Sequence, residues 1–142
     1  MTTTGDRRPI GLLLRALDRL IDDSFERALG ARAVTRRQWQ LLAMLAERPT
    51  SLDDLTSAVA PFLDRTGGET AEQHLRPLAD DGLVTVTVDL CRLTEPGRAL
   101  VEDLRTAVQA VRDRTVEGLA DGEYDRTVAT LQTMVDNLSR PA

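Results

Sequence analysis

Lysine is missing from this chain and rings are scarce: all 18 basic residues are arginine, and aromatics make up 3% of 142 residues. A core this poor in rings must be filled by Leu, Val and Ala, which favours packed helices over a large sheet. The length suits one domain with a real core. A single cysteine, Cys91, excludes an internal disulfide and a Cys-cluster metal site and suits a reducing cytoplasm. No apolar run approaches the ~18 residues of a membrane span, and the opening Met1–Asp6 has no signal-peptide pattern. A soluble, cytoplasmic protein with no membrane partner is expected. Positive charge is also lacking: the net charge of −5 disfavours non-specific attraction to nucleic acid or anionic membrane. No Ser-His-Asp order with a nucleophile elbow and no glycine-rich phosphate loop is present, and Gly67-Gly68 marks only a loop. Asp22-Asp23 and Asp80-Asp81 are neighbours in helical stretches, where adjacent side chains diverge. Neither an enzyme nor a cofactor or metal site is expected.

What is present is a series of amphipathic segments around one compact centre, Ser51 to Gly97. Residues 1–9 are polar and expected to fray. Ile10, Leu13, Leu14, Leu17, Leu20, Ile21, Phe25 and Ala28 recur at helical steps, and Gly30 stops the run. The stripe has no local partner, so it belongs either to the chain's own core or to a dimer. Thr35 and Gln38 fit a capping box, and Val34 with Trp39 fits a hydrophobic staple that turns Trp39 inward as a core anchor rather than a ligand platform. Arg48-Pro49 ends this helix. Thr50-Ser51 caps the next, Leu52 to Val59, closed by Pro61. The following connection is long for a helix-turn-helix. A helix is then predicted from Glu69 to Asp81, with a capping box available to Thr66 and Glu69, a kink at Pro77 and a stop at Gly82. Val84, Val86 and Val88 alternate with Thr85 and Thr87, as in a strand. The phase flips to Cys91 and Leu93, so the chain turns and returns as a short hairpin whose tip lacks a turn glycine. Thr94 caps a helix continuing to Leu119, and Asp121 begins the last one, striped by Tyr124, Val128, Leu131, Val135 and Leu138. The fold class is mainly α with a small β-hairpin wing.

Four motifs in this order carry a resemblance: Arg37-Gln38-Trp39-Gln40-Leu41-Leu42, Leu78-Ala79-Asp80-Asp81-Gly82-Leu83-Val84, Leu93-Thr94-Glu95-Pro96-Gly97-Arg98, and Gly118-Leu119 through Gly122-Glu123-Tyr124. Over Ile10 to Leu138 the chain resembles the multiple antibiotic resistance regulator (MarR) family of winged helix-turn-helix transcription factors. The resemblance implies a single domain over 1–142, with a winged lobe at 34–94 and dimerisation helices at 10–30 and 95–139. It further implies a ligand-responsive repressor, homodimeric, reading a pseudo-palindromic operator in double-stranded DNA, and a pocket for a small aromatic effector. Two features depart from the family pattern. Only eight residues, Thr85 to Arg92, separate Gly-Leu-Val from Leu-Thr, so the usual Asp-Arg-Arg wing tip is absent. The segment Leu41 to Gly82 holds 3 arginines against 8 acids, where a DNA lobe normally carries a basic patch.

Carried over residue by residue, the pattern puts DNA contacts at Thr70, Gln73, Arg76 and Arg92. Gln73 pairs with adenine, Thr70 meets a base or phosphate, and Arg76 meets a phosphate. Arg92 is either a wing cation or an exposed strand residue. Glu69 and Glu72 oppose these contacts and read as solvated acids. Arg32, Arg36 and Arg37, from a more basic opening, are candidates for backbone contacts. Cys91 reads as a small core residue rather than a redox sensor, and His74 lacks the company a zinc site needs. The alternative is a degenerate winged-helix dimer that binds ligand or protein but not DNA.

Overall fold

The structure, a computed structural model, describes residues 9–64, 66–87 and 89–141. The expected fraying of 1–8 and the strand position of Val88 lie outside these residues. Helices α1 (Ile10–Leu29), α2 (Arg36–Glu47), α3 (Leu52–Val59) and α4 (Ala71–Asp80) precede a hairpin of β1 (Val84–Val86) and β2 (Cys91–Leu93), then α5 (Glu95–Thr115) and α6 (Glu123–Ser139). Two compact units divide the chain, one up to Val111 and one from Arg112 onward.

In the first unit the core is aliphatic, as the composition requires. Leu41, Leu42 and Leu45 of α2, Leu55 of α3 and Leu75 of α4 are each at most 1% exposed. At about 1.5–3 kcal/mol for each fully buried aliphatic side chain, this cluster dominates the stability of the lobe. Phe25 and Leu29 of α1 and Leu100, Leu104 and Val108 of α5 join it. Trp39 is buried with Val34, and the capping box closes as expected: the Gln38 N–H donates to Thr35 Oγ1 and the Thr35 N–H to Gln38 Oε1. The stop after α1 differs from expectation. Gly30 is right-handed and continues into a 3₁₀ turn, and the left-handed residue is Ala33, at φ 57°.

The helix predicted over Glu69–Asp81 starts later. Its N-cap is Thr70, because the box forms between Thr70 and Gln73 rather than between Thr66 and Glu69. The helix runs through Pro77, which has no N–H to return to the Gln73 carbonyl. It ends in a Schellman motif, with the Leu83 N–H on the Leu78 carbonyl and the Gly82 N–H on Ala79, Gly82 having φ 77°.

The hairpin pairs Val84 with Leu93, Thr85 with Arg92 and Val86 with Cys91. Val84 is buried but Val86 is 39% exposed, although its partner Cys91 is fully buried. The tip is closed without glycine: the Thr87 N–H and hydroxyl both donate to the Leu90 carbonyl, and the Leu90 N–H returns to Thr87 Oγ1. Thr50, expected to share in capping α3, instead pairs with Cys91 through N–H···O bonds of 3.1 and 2.8 Å, a one-residue third strand; Ser51 alone is the cap.

In the second unit α5 stops at Thr115, short of the predicted Leu119, because the chain turns at Gly118 with φ 84°. Helix α6 begins at Glu123 after the positive-φ Gly122, and Glu123 Oε1 accepts from the Ala120 N–H.

Candidate nucleic-acid interface

Helix α4 is the element a helix-turn-helix offers to DNA, and its inner face fixes which side is open. Ala71, Leu75 and Leu78 are buried. Glu72, Gln73, Arg76 and Asp80 lie on the other side, all of them exposed.

A connected set of hydrogen bonds holds the start of this helix. Gln38, the one buried polar residue among those described, donates through Nε2 to the His74 carbonyl at 3.3 Å and so ties α2 to α4. Glu69 spends both carboxylate oxygens: Oε1 accepts the Asp64 N–H at 2.7 Å and Oε2 meets His74 Nε2 at 2.7 Å. The Asp64 carbonyl in turn accepts the Glu69 N–H, and Asp64 Oδ1 accepts the Gly67 N–H. The donated Asp64 N–H, first, and the bond to His74, second, hold the Glu69 carboxyl below its ordinary range. Glu69 is therefore not a solvated acid. It closes the long loop between α3 and α4, which a short helix-turn-helix turn would not need. The signal for this was present in the sequence as a carboxylate and an imidazole five residues apart, but that spacing places them side by side only once Thr70 caps the helix.

The four carried-over residues fare differently. Thr70 and Gln73 come together, but on each other: the Gln73 N–H donates to Thr70 Oγ1 and the Thr70 N–H to Gln73 Oε1. The bidentate pairing of Gln73 with adenine requires that same Oε1 as acceptor, and in the capped state one of its two lone pairs is already held and the amide is oriented by the Thr70 N–H. Arg76 is open, its side chain 72% exposed and 3.8 Å from Glu72. Arg92 is exposed on β2 opposite Thr85. Of the arginines expected to add backbone contacts, Arg32 pairs with Asp103 at 3.0 Å, and Arg36 pairs with Asp18 and Asp22 against the Phe25 ring. Arg37 lies over the Phe62 ring, 4.8 Å from its centroid, and bonds Gln40. Arg65 lies outside the described residues.

Cys91 is fully buried, and burial pushes its thiol up, away from the thiolate that redox chemistry needs. Among the described residues no group of three His, Cys, Asp or Glu is arranged to hold a metal, and no helix is long and apolar enough to cross a membrane. A cleft of about 560 Å³ opens between the end of α2, the start of α3 and the hairpin tip, with Met44, Pro49 and Leu90 as its apolar wall and Arg48 beside them.

No family model and no curated protein matches the chain in sequence. Solved structures do match it in fold. CouR from Rhodococcus jostii RHA1, solved bound to p-coumaroyl-CoA, superposes with a TM-score of 0.75 at 25% identity, covering 94% of this chain and 95% of that one. A MarR-family transcriptional regulator from Rhodococcus sp. RHA1 gives 0.73 at 25% identity, covering 94% and 96%. BpsR of Bordetella bronchiseptica, whose DNA binding is regulated by 6-hydroxynicotinic acid, shares the fold at 0.74 with 24% identity, covering 94% and 98%. In the order of its elements and in fold, the chain is similar to transcriptional regulators of the MarR family, which share this winged helix-turn-helix architecture.

Proposed function

We propose that the chain is a homodimeric DNA-binding transcriptional regulator, a repressor that leaves a pseudo-palindromic operator when a small aromatic molecule binds. The observation that carries this reading is α4. Its start is fixed by two side-chain networks while its outer face is left open, which is the arrangement expected of a helix that enters the major groove with its N-terminal residues toward base edges. Arg76 and Arg92 are its candidate phosphate contacts, and the Thr70 hydroxyl retains a proton to donate to a third. The effector class is taken from the ligands of CouR and BpsR, an aromatic acid or its thioester. Dimerisation is supported by the apolar rows left open on α1 and α6.

A second reading, a winged-helix dimer that binds ligand or protein without DNA, is favoured by charge. The lobe is acidic, and Arg32 and Arg36 are occupied by ion pairs within the first unit. Fluorescence anisotropy separates the two, using duplex DNA from upstream of the protein's own gene beside a scrambled duplex at two salt concentrations. A regulator binds the native duplex selectively and weakens as salt rises. Arg76→Ala then lowers affinity for all sequences alike and flattens the log–log salt dependence by about 0.9 for each phosphate no longer neutralised. Absence of binding at low salt would favour the second reading.

A further inference from the structure

We infer that Glu72 reads cytosine, and that this acid, rather than Gln73, sets the sequence preference of α4. This rests on the DNA-binding function proposed above and concerns what the helix selects. Around the start of α4 the other acceptors are engaged. Glu69 holds the Asp64 N–H and His74. Gln73 Oε1 holds the Thr70 N–H, and Thr70 Oγ1 holds the Gln73 N–H. Glu72 is in the first turn on the open side, its side chain 58% exposed, with only a long contact of 3.8 Å to Arg76.

A carboxylate offers acceptors and nothing else. In the major groove guanine shows two acceptors, and thymine shows an acceptor and a methyl, so both are disfavoured. Adenine offers an amino group beside the N7 lone pair, which repels the carboxylate. Cytosine offers its N4 amino group with no acceptor of its own alongside, and it is the base a lone carboxylate suits best. Arg76, one turn on, offsets the repulsion between Glu72 and nearby phosphates, so the acid is tolerated close to the backbone. Gln73, its amide oriented by the bond from the Thr70 N–H to Oε1, is held in the cap, whereas the Glu72 carboxylate is free to turn toward a base. A two-fold dimer repeats the cytosine in each half-site.

The test is selection from a duplex pool with a randomised core, followed by anisotropy on the enriched duplex carrying single replacements. Wild-type protein is expected to enrich one cytosine per half-site and to bind about tenfold more weakly when it becomes thymine. Glu72→Gln, which gains a donor beside its acceptor, is expected to move the preference at that position to adenine; Glu72→Ala is expected to leave no preference there. Both variants alter an exposed side chain, and retention of binding to the pool reports that they fold. Tighter binding by both variants with the base preference unchanged would overturn the inference, because Glu72 would then act only through its charge. Failure of the wild type to enrich any sequence at low salt would overturn the proposed DNA binding itself, and the cytosine preference with it.

Discussion

Residue by residue, the acids of the lobe act differently despite their shared charge. Glu69 is a bracket, Glu72 faces outward, and Asp53 and Asp54 sit in the first turn of α3, where the helix dipole favours them. The bracket has a pH signature. Because folding lowers the pKa of Glu69, its contribution is present above the ordinary value of 4.5 and is lost as pH falls through the depressed folded value. Glu69→Gln keeps an acceptor for the Asp64 N–H but does not titrate. Thermal melts are expected to show the variant less stable at neutral pH, with the gap narrowing as the pH drops below 4.5. A gap that stays constant would mean that the carboxylate charge contributes nothing. The five-residue spacing of Glu69 and His74 separates Glu69 from Glu72 only once the cap falls one residue after Glu69.

At the level of elements, two of the motifs turn out to hold each other. The Thr94 N–H donates to the Leu83 carbonyl and its hydroxyl to the Gly82 carbonyl at 2.6 Å, while Thr94 Oγ1 accepts the Gly97 N–H as the cap of α5. Gly97 lies against the Leu83 carbonyl oxygen, and a Cβ there would overlap it. Two effects oppose in Gly97→Ala: helix propensity favours alanine by about 0.5–1 kcal/mol, whereas forcing the helix off the hairpin costs about 3 kcal/mol. Steric overlap wins. Urea titration is expected to show a clear fall in midpoint, and a midpoint unchanged or raised would show that the backbone there yields easily. The succession of Gly-Leu-Val and Leu-Thr-Glu-Pro-Gly in this chain thus has a physical basis that neither motif shows alone.

Across the whole molecule, the open apolar rows remain to be covered. Ile10, Leu13, Leu14, Leu17 and Leu20 are between 42% and 55% exposed on α1, while Tyr124, Val128, Val135 and Leu138 are exposed on α6. Apolar rows of this length mark interaction surfaces. Light scattering at micromolar concentration is expected to give twice the chain mass. Leu13→Glu with Leu17→Glu is expected to give the single-chain mass without loss of helical signal, since neither leucine is buried in its own lobe. A wild-type protein at single-chain mass would exclude the proposed dimer.

Much of this was settled by residue order. Periodicity marked the helices, Thr35 with Gln38 marked the start of α2, Ser51 marked the start of α3, and Gly82 marked the end of α4, because caps and stops are formed by residues a few positions apart. Tertiary structure decided what depends on distant partners or on competition between near-equal local choices. Ala33 rather than Gly30 took the left-handed turn, Thr70 rather than Thr66 took the cap, Thr50 became a strand partner of Cys91, and Arg36 went to Asp18 and Asp22 instead of remaining open. Charge counts along the chain could not separate these cases, since an arginine and an acid far apart in sequence cancel only when folding brings them within reach.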